Sequence, residues 1–105
     1  MKQKRLQLSV RKSRLLNYFL EAGKPYTSTV IDHETVVYCK LPRFDFEISG
    51  GYYGGPFIVY VWDLSPTGTP QHIVAKHTVP SADIPAAAEK IDHIVAAYKE
   101  KPNDL

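Results

Sequence analysis

Alternation between apolar and polar positions predicts strands in the middle of this chain. Residues Arg43–Ile48 alternate strictly, so one face of that strand should be buried and the other should meet water. The predicted buried residues are Phe44, Phe46 and Ile48, and the predicted exposed ones are Arg43, Asp45 and Glu47. Thr35–Leu41 is rich in β-branched and aromatic residues, which predicts a second strand that Pro42 interrupts.

Two further segments read as strands. Phe57–Leu64 is apolar at nearly every position, which is typical of a central strand covered on both faces. Gln71–Val79 predicts another strand. Ser49–Pro56 and Ser65–Pro70 are rich in glycine, proline and serine and predict the connecting turns. Short connections of this kind favour antiparallel neighbours.

The C-terminal part predicts an amphipathic helix. Either Ser81 or Asp83 can cap it, and Pro85 suits its first turn. The apolar residues recur at helical spacing, which gives one buried stripe. They are Ile84, Ala87, Ala88, Ile91, Ile94, Val95 and Tyr98.

The N-terminal part allows two interpretations. In the first, Arg5–Val10 alternates as a strand, and a helix runs from Ser13 to about Ala22 with Gly23 at its end. In the second, one longer helix begins at Ser9. Its first turns then carry three basic residues, which the helix dipole disfavours. Those residues are Arg11, Lys12 and Arg14.

Together these elements predict an α+β fold. We expect an antiparallel β-meander of three to five strands, with an N-terminal helix and a C-terminal amphipathic helix packed on one face. Residues 1–105 are expected to form a single domain, because a chain of 105 residues leaves little for a second one. Residues 1–12 are expected to be a flexible basic arm or a first strand, and residues 101–105 a frayed tail.

The order of helix, three strands and helix resembles that of the double-stranded RNA-binding domain. The segment Arg14-Leu15-Leu16-Asn17-Tyr18 is similar to the first helix of that family. The family also has a lysine cluster at the start of its last helix. Here that place reads Ser81-Ala82-Asp83-Ile84-Pro85-Ala86, with an acid and no lysine, so the chain is not assigned to the family.

Cysteine content and hydropathy indicate the cellular compartment in which we expect the protein. Cys39 is the single cysteine, which excludes an intramolecular disulfide and zinc sites built on paired cysteines. It falls on the predicted buried face of its strand, so we expect an inert thiol. The apolar runs are far shorter than the ~20 residues of a membrane helix, and the N-terminus lacks the apolar stretch of a secretory signal. We therefore expect a cytoplasmic protein without a cofactor.

Positive charge is concentrated at one end of the chain. Residues 1–24 contain seven Lys and Arg and one Glu, although the formal net charge of the whole chain is only +2. Such a basic segment can contact phosphates of a nucleic acid through salt-sensitive ion pairs. The candidate contacts are Lys4, Arg5, Arg11, Lys12 and Arg14. Nucleic-acid binding is the first alternative function.

Aromatic residues supply the other candidate surfaces. Tyr52 and Tyr53 lie between glycine pairs, where their rings can stack on bases or fill a partner's pocket, or else fold back onto the sheet. Because a strand follows this loop, it is not a phosphate-binding loop. Tyr60 and Trp62 share one face of the apolar strand. If helices cover only its other face, they form an interface, and we expect a homodimer.

The four histidines give little support for catalysis. His33 and His93 neighbour acids in sequence, but adjacent side chains point in different directions. His72 and His77 are five residues apart, which predicts opposite faces of a strand. Short catalytic motifs such as HExxH and GxSxG do not occur. The sequence therefore favours a small non-enzymatic interaction or regulatory module that self-associates or binds another protein. A small enzyme with a site built from scattered His, Asp and Tyr is the second alternative.

Overall fold

The computed structural model describes residues 10–64, 70 and 72–99, and these residues form two helices and five strands. The helices are α1 (Val10–Glu21) and α2 (Ile84–Lys99). The strands are β1 (Tyr26–Ile31), β2 (Glu34–Lys40), β3 (Phe44–Gly50), β4 (Phe57–Asp63) and β5 (His72–Val79). All pairings are antiparallel and follow chain order. The predicted α+β meander with two flanking helices is confirmed.

Helix α1 follows the longer of the two N-terminal interpretations. Val10 is helical, so its assignment to a first strand is wrong, and the helix begins before Ser13. The other residues of the predicted strand, 5–9, lie outside the described residues, as do 1–4 and the tail at 101–105. The helix ends as predicted near Gly23, which has φ +75°. Two bonds close this end, from Gly23 N to the Leu20 carbonyl and from Lys24 N to the Phe19 carbonyl.

Strand β1 was not predicted from the sequence. Its residues, Tyr-Thr-Ser-Thr-Val-Ile, show no alternation of apolar and polar side chains. Of its six side chains, that of Tyr26 is buried. The strand joins β2 through a two-residue turn, in which Asp32 and His33 both have positive φ, 52° and 68°. Positive φ at both positions matches the right-handed twist of a hairpin.

Helix α2 begins as predicted. The Ala86 amide donates to Asp83 Oδ1 at 3.1 Å, so Asp83 is the capping residue. Ala87, Ala88, Ile91 and Val95 form the buried stripe. This helix and α1 pack beside each other and against the same sheet face.

The core lies between that face and the two helices. Aromatic rings pack within it at two places: the rings of Phe19 and Tyr26 of β1 stack at 3.7 Å, and Tyr98 meets Phe44 and Phe46 of β3 edge-on. Cys39 is buried among these residues, and burial raises the pKa of its thiol. None of the described helices is long and apolar enough to cross a membrane.

Two predictions about individual strands are wrong. Asp45 and Glu47, predicted to face water, are almost fully buried, because neighbouring side chains of the same face cover them. Strand β4, predicted to be covered on both faces, is fully buried at Val59 and Val61 but only half-buried at Tyr60 and Trp62. The two described helices lie on one side of the sheet, and no helix among the described residues covers the other side.

Candidate functional site

The sheet face opposite the two helices, called the uncovered face below, carries a mixed aromatic and charged surface. Strand register places its residues in rows across the sheet, since directly paired residues of antiparallel strands share a face. One row is Thr27, Tyr38, Glu47, Tyr60 and Lys76, the next is Lys40, Asp45, Trp62 and Ile73, and a third is Thr29, Val36, Ser49, Ile58 and Thr78.

Two buried carboxylates occupy the centre of the uncovered face. Asp45 Oδ2 accepts hydrogen bonds from the Tyr38 hydroxyl at 2.6 Å and from Lys40 Nζ at 3.0 Å. Its other oxygen, Oδ1, is buried without a hydrogen-bond partner among the described residues. Trp62 Nε1 donates to Glu47 Oε1 at 3.0 Å. Tyr38 and Trp62 of this face therefore each donate one hydrogen bond to a buried carboxylate.

Burial changes the proton affinity of these groups. Burial raises the pKa of Glu47 above its ordinary value, and the Trp62 hydrogen bond, which favours the carboxylate, opposes that rise. Burial and the hydrogen bond to Asp45 raise the pKa of the Tyr38 hydroxyl. Tyr38 is consequently a stable hydrogen-bond donor, and Glu47 binds a proton more readily than an exposed glutamate does.

A groove of about 620 Å³ lies on the uncovered face beside β1. It combines hydroxyl groups with an indole ring and one ammonium group. The lining residues are Thr27, Ser28, Thr29, Ile31, Tyr38, Lys40, Trp62 and Pro70. Such a lining offers an apolar platform with several polar contacts, which is the usual composition of a recognition surface.

The two candidate tyrosines of the β3–β4 loop have different environments. Tyr52 folds back, as one interpretation expected: Lys12 Nζ donates to its hydroxyl at 3.0 Å and lies 4.5 Å from the ring centroid. Tyr53 is fully exposed and has φ +53°. The turn is closed by a bond from Gly55 N to the Tyr52 carbonyl at 2.8 Å. Only Tyr53 projects from the loop as the exposed-ring interpretation requires.

Lys12 is fully buried, which is unusual for a lysine. Its Nζ lies 2.8 Å from Glu34 Oε2 and donates to the Thr35 carbonyl at 2.6 Å. The same Glu34 oxygen accepts the Gly50 amide at 3.0 Å. The structure thus places Lys12 in the interior, where it joins α1, β2 and the β3–β4 loop, and not on the surface predicted for phosphate contacts.

The remaining predicted phosphate contacts are dispersed. Arg11 Nη1 donates to Ser81 Oγ at 2.7 Å, and that hydroxyl donates to the Gly55 carbonyl at 2.7 Å. Arg14 is exposed on α1. Lys4 and Arg5 lie outside the described residues. Among the described positions, therefore, the predicted basic patch is reduced to Arg14 and a half-buried Arg11.

Two of the four histidines line an open hollow between β5 and α2. The hollow measures about 560 Å³ and contains His77 and His93, with His77 Nε2 buried and unpartnered in the described part of the chain. A bulge between β4 and β5 pairs His72 with Asp63 and His77 with Val59, on the same face. The prediction of opposite faces for these histidines is therefore wrong. Within the described ranges, no group of three or more His, Cys, Asp or Glu residues can hold a metal ion.

Several residues of the uncovered face were not identified as candidates from the sequence. Tyr38, Asp45 and Glu47 were assigned to strands, but alternation predicts only the face and not what covers it. The sequence signal for them is that Asp45 and Glu47 stand two residues apart in one strand, beside strands that contain aromatic residues. Tyr60 and Trp62, which were candidates, lie on this face and are half-buried there.

Comparison with known proteins adds no functional information. No protein-family model matches the chain, and neither the curated protein sequences nor the solved structures that were searched contain a match.

Proposed function

We propose that this protein is a non-enzymatic interaction module that binds another protein through the uncovered face. The observation that carries the proposal is the placement of both described helices on one side of the sheet. The other side keeps Tyr38, Tyr60 and Trp62 half-buried, and Tyr38 and Trp62 line a groove there. Large aromatic side chains held in place by hydrogen bonds are the residue types that dominate binding energy at protein interfaces.

The charge pattern of the uncovered face favours a protein partner over a nucleic acid. Its centre holds the carboxylates of Asp45 and Glu47, whereas Lys40 and Lys76 lie farther out. Nucleic-acid surfaces instead need a row of cations that follows the phosphates. Tyr38, Tyr60 and Trp62, which lie on this face, belong to the aromatic residue types that are enriched at protein interfaces.

The geometry of the polar groups favours binding over catalysis. A catalytic acid or base must come within hydrogen-bond distance of its substrate. Asp45 is completely buried and Glu47 nearly so, and the side chains above them already donate to both. Their present role is to orient Tyr38 and Trp62, which suits a rigid recognition surface.

The test compares two tyrosine variants that differ in the face they alter. Tyr60→Ala removes a half-buried ring from the uncovered face, and Tyr18→Ala removes an exposed ring from α1 on the other side. Full-length wild type and both variants are immobilised, and proteins retained from lysate of the source cells are quantified. We expect wild type and Tyr18→Ala to retain the same proteins and Tyr60→Ala to lose them.

The bound state has a direct optical reporter, because Trp62 is the only tryptophan in the chain and lies in the groove. A retained protein, once purified, should change the emission of Trp62 on titration. Equal retention by both variants contradicts the proposal. A change of Trp62 emission with mixed-sequence single-stranded RNA, and not with a retained protein, would favour nucleic-acid binding instead.

A further inference from the structure

The two edges of the sheet differ in how far they are protected against pairing with another strand. Edge strands expose unpaired backbone groups, and proteins usually protect them with lysines, prolines or bulges. Strand β5 has two such devices, Lys76 and the bulge opposite Val61 and Trp62. Strand β1 has none: its six residues are uncharged, and its register with β2 runs without a break from Tyr26 to Ile31.

The β1 edge is also open to solvent. Its side chains from Thr27 to Val30 are exposed, and the groove of the uncovered face begins directly beside them. The two-residue turn makes Ile31 and Glu34 the closing hydrogen-bonded pair of the hairpin. Because such pairs alternate along antiparallel strands, Thr27 and Thr29 bond to β2, whereas the amides of Ser28 and Val30 point outward.

We propose that β1 pairs with β1 of a second copy of this chain, antiparallel and centred on Ser28. In this register Ser28 faces Ser28, and Val30 faces Tyr26. The outward amide and carbonyl of Ser28 meet those of the second copy, and the Val30 amide meets the Tyr26 carbonyl, because the Tyr26 amide already donates to the Lys24 carbonyl at 2.9 Å. The two sheets join into one continuous ten-stranded sheet with a two-fold axis. Thr27 lies opposite Thr29 of the second copy, a pair that is favourable in sheets.

Charge does not oppose this occupant. Lys24, before the strand, is already paired with Asp92 of its own chain, Nζ to Oδ2 at 3.1 Å, and Asp32, after the strand, lies in the turn. The six residues of β1 itself are uncharged, so no like charges face each other across the paired strands.

The inference does not depend on the partner-binding proposal. It joins the two uncovered faces side by side, and the two grooves, each lined by Thr27 and Thr29, then adjoin across the two-fold axis. An edge of six residues is smaller than a standard interface, and we expect a dissociation constant between about 1 µM and about 1 mM.

Sedimentation equilibrium of the full chain tests the proposal. The wild type should pass from 11.9 kDa to twice that mass as its concentration rises through this range. Ser28→Pro removes an outward amide without removing a bond to β2, and it should raise the dissociation constant at least about tenfold. Val74→Lys, at an exposed position of the β5 edge, serves as the matched control and should leave the constant unchanged.

A measurement on the wild type guards against misfolding of the proline variant. On dilution, the Ser28 and Val30 amides should shift and lose protection from hydrogen exchange, whereas those of Thr27 and Thr29 should not. A wild type that stays monomeric to about 1 mM overturns the proposal. So does a dimer that survives Ser28→Pro, or one that Val74→Lys or Tyr60→Ala dissociates, since those results place the contact on β5 or on the uncovered face.

Discussion

The left-handed backbone conformation suits some of the residues that adopt it and is unfavourable for others. Tyr53 and Gly23 both have left-handed φ values, 53° and 75°. At Gly23 the residue type fits the conformation, because glycine has no Cβ to clash there. At Tyr53 it does not, and the exposed ring makes little contact that offsets the cost.

Replacing Tyr53 with Asn should therefore stabilise the protein. Asparagine tolerates the left-handed region better than tyrosine, so the free energy of unfolding in urea should rise by up to about 1 kcal/mol. Gly23→Ala is the matched control, and it should destabilise the protein. Nothing lies within 4 Å of an added Cβ there, so its expected loss of about 1 kcal/mol comes from the backbone alone. A destabilised Tyr53→Asn would mean that the ring makes a stabilising contact.

Glu47 should make stability depend on pH. Because burial raises its folded-state pKa, the folded protein retains the proton between the unfolded and the folded pKa. Stability from this residue therefore falls as pH rises through that interval. Glu47→Gln keeps an acceptor for Trp62 Nε1 and removes the charge. The variant should be more stable than wild type at neutral pH, and the difference should shrink below about pH 4.3, the ordinary glutamate value. If the difference in stability between Glu47→Gln and wild type is the same at neutral pH and below about pH 4.3, the result contradicts this assignment.

At the scale of elements, helix α2 and strand β1 show two ways in which a segment acquires its structure. Helix α2 has a cap, a proline in its first turn and a complete apolar stripe, so local signals agree with its packing. Strand β1 has no such pattern and is ordered by its turn and its pairing with β2. This explains why α2 was predicted and β1 was not.

Removing the cap of α2 should cost stability without changing the fold. Asp83→Ala leaves the Ala86 amide unpaired, and the free energy of unfolding should fall by about 1 kcal/mol. Asp83→Asn keeps an oxygen at the same place and should lose less than half of that. Equal losses in the two variants would show that charge at the helix start matters more than the hydrogen bond.

At the scale of the whole molecule, side chains of α1 link several elements to one another. Lys12 connects α1 to Glu34 of β2 and to Tyr52 of the β3–β4 loop. Through Ser81, Arg11 links the same helix to the segment before α2 and to Gly55 of that loop. Arg11 and Lys12 of α1 thus have a structural role in this part of the chain.

Breaking the Lys12 ion pair should be the most destabilising of these changes. Lys12→Met leaves Glu34 without its cation in a largely buried place, and the expected loss in urea unfolding is about 3 kcal/mol, toward the low end for buried pairs because Glu34 is partly exposed. In the double variant Lys12→Met/Glu34→Gln no charge remains, and the Gly50 amide still has an acceptor. It should recover part of the loss. A single variant that loses less than about 1 kcal/mol would place the pair in the class of surface salt bridges.

The sequence by itself determined the fold class, helix α2 with its cap, the four strands from β2 to β5 and the burial of Cys39, because these follow from local periodicity and capping chemistry. It also identified Tyr60 and Trp62 as residues of one strand face. Only the tertiary structure decided that Lys12, Asp45 and Glu47 are buried, that Tyr52 folds back while Tyr53 does not, and that β1 forms an edge. Burial of a charged group depends on partners such as Glu34 or Tyr38 that distant pairing brings close, and no local pattern encodes that pairing.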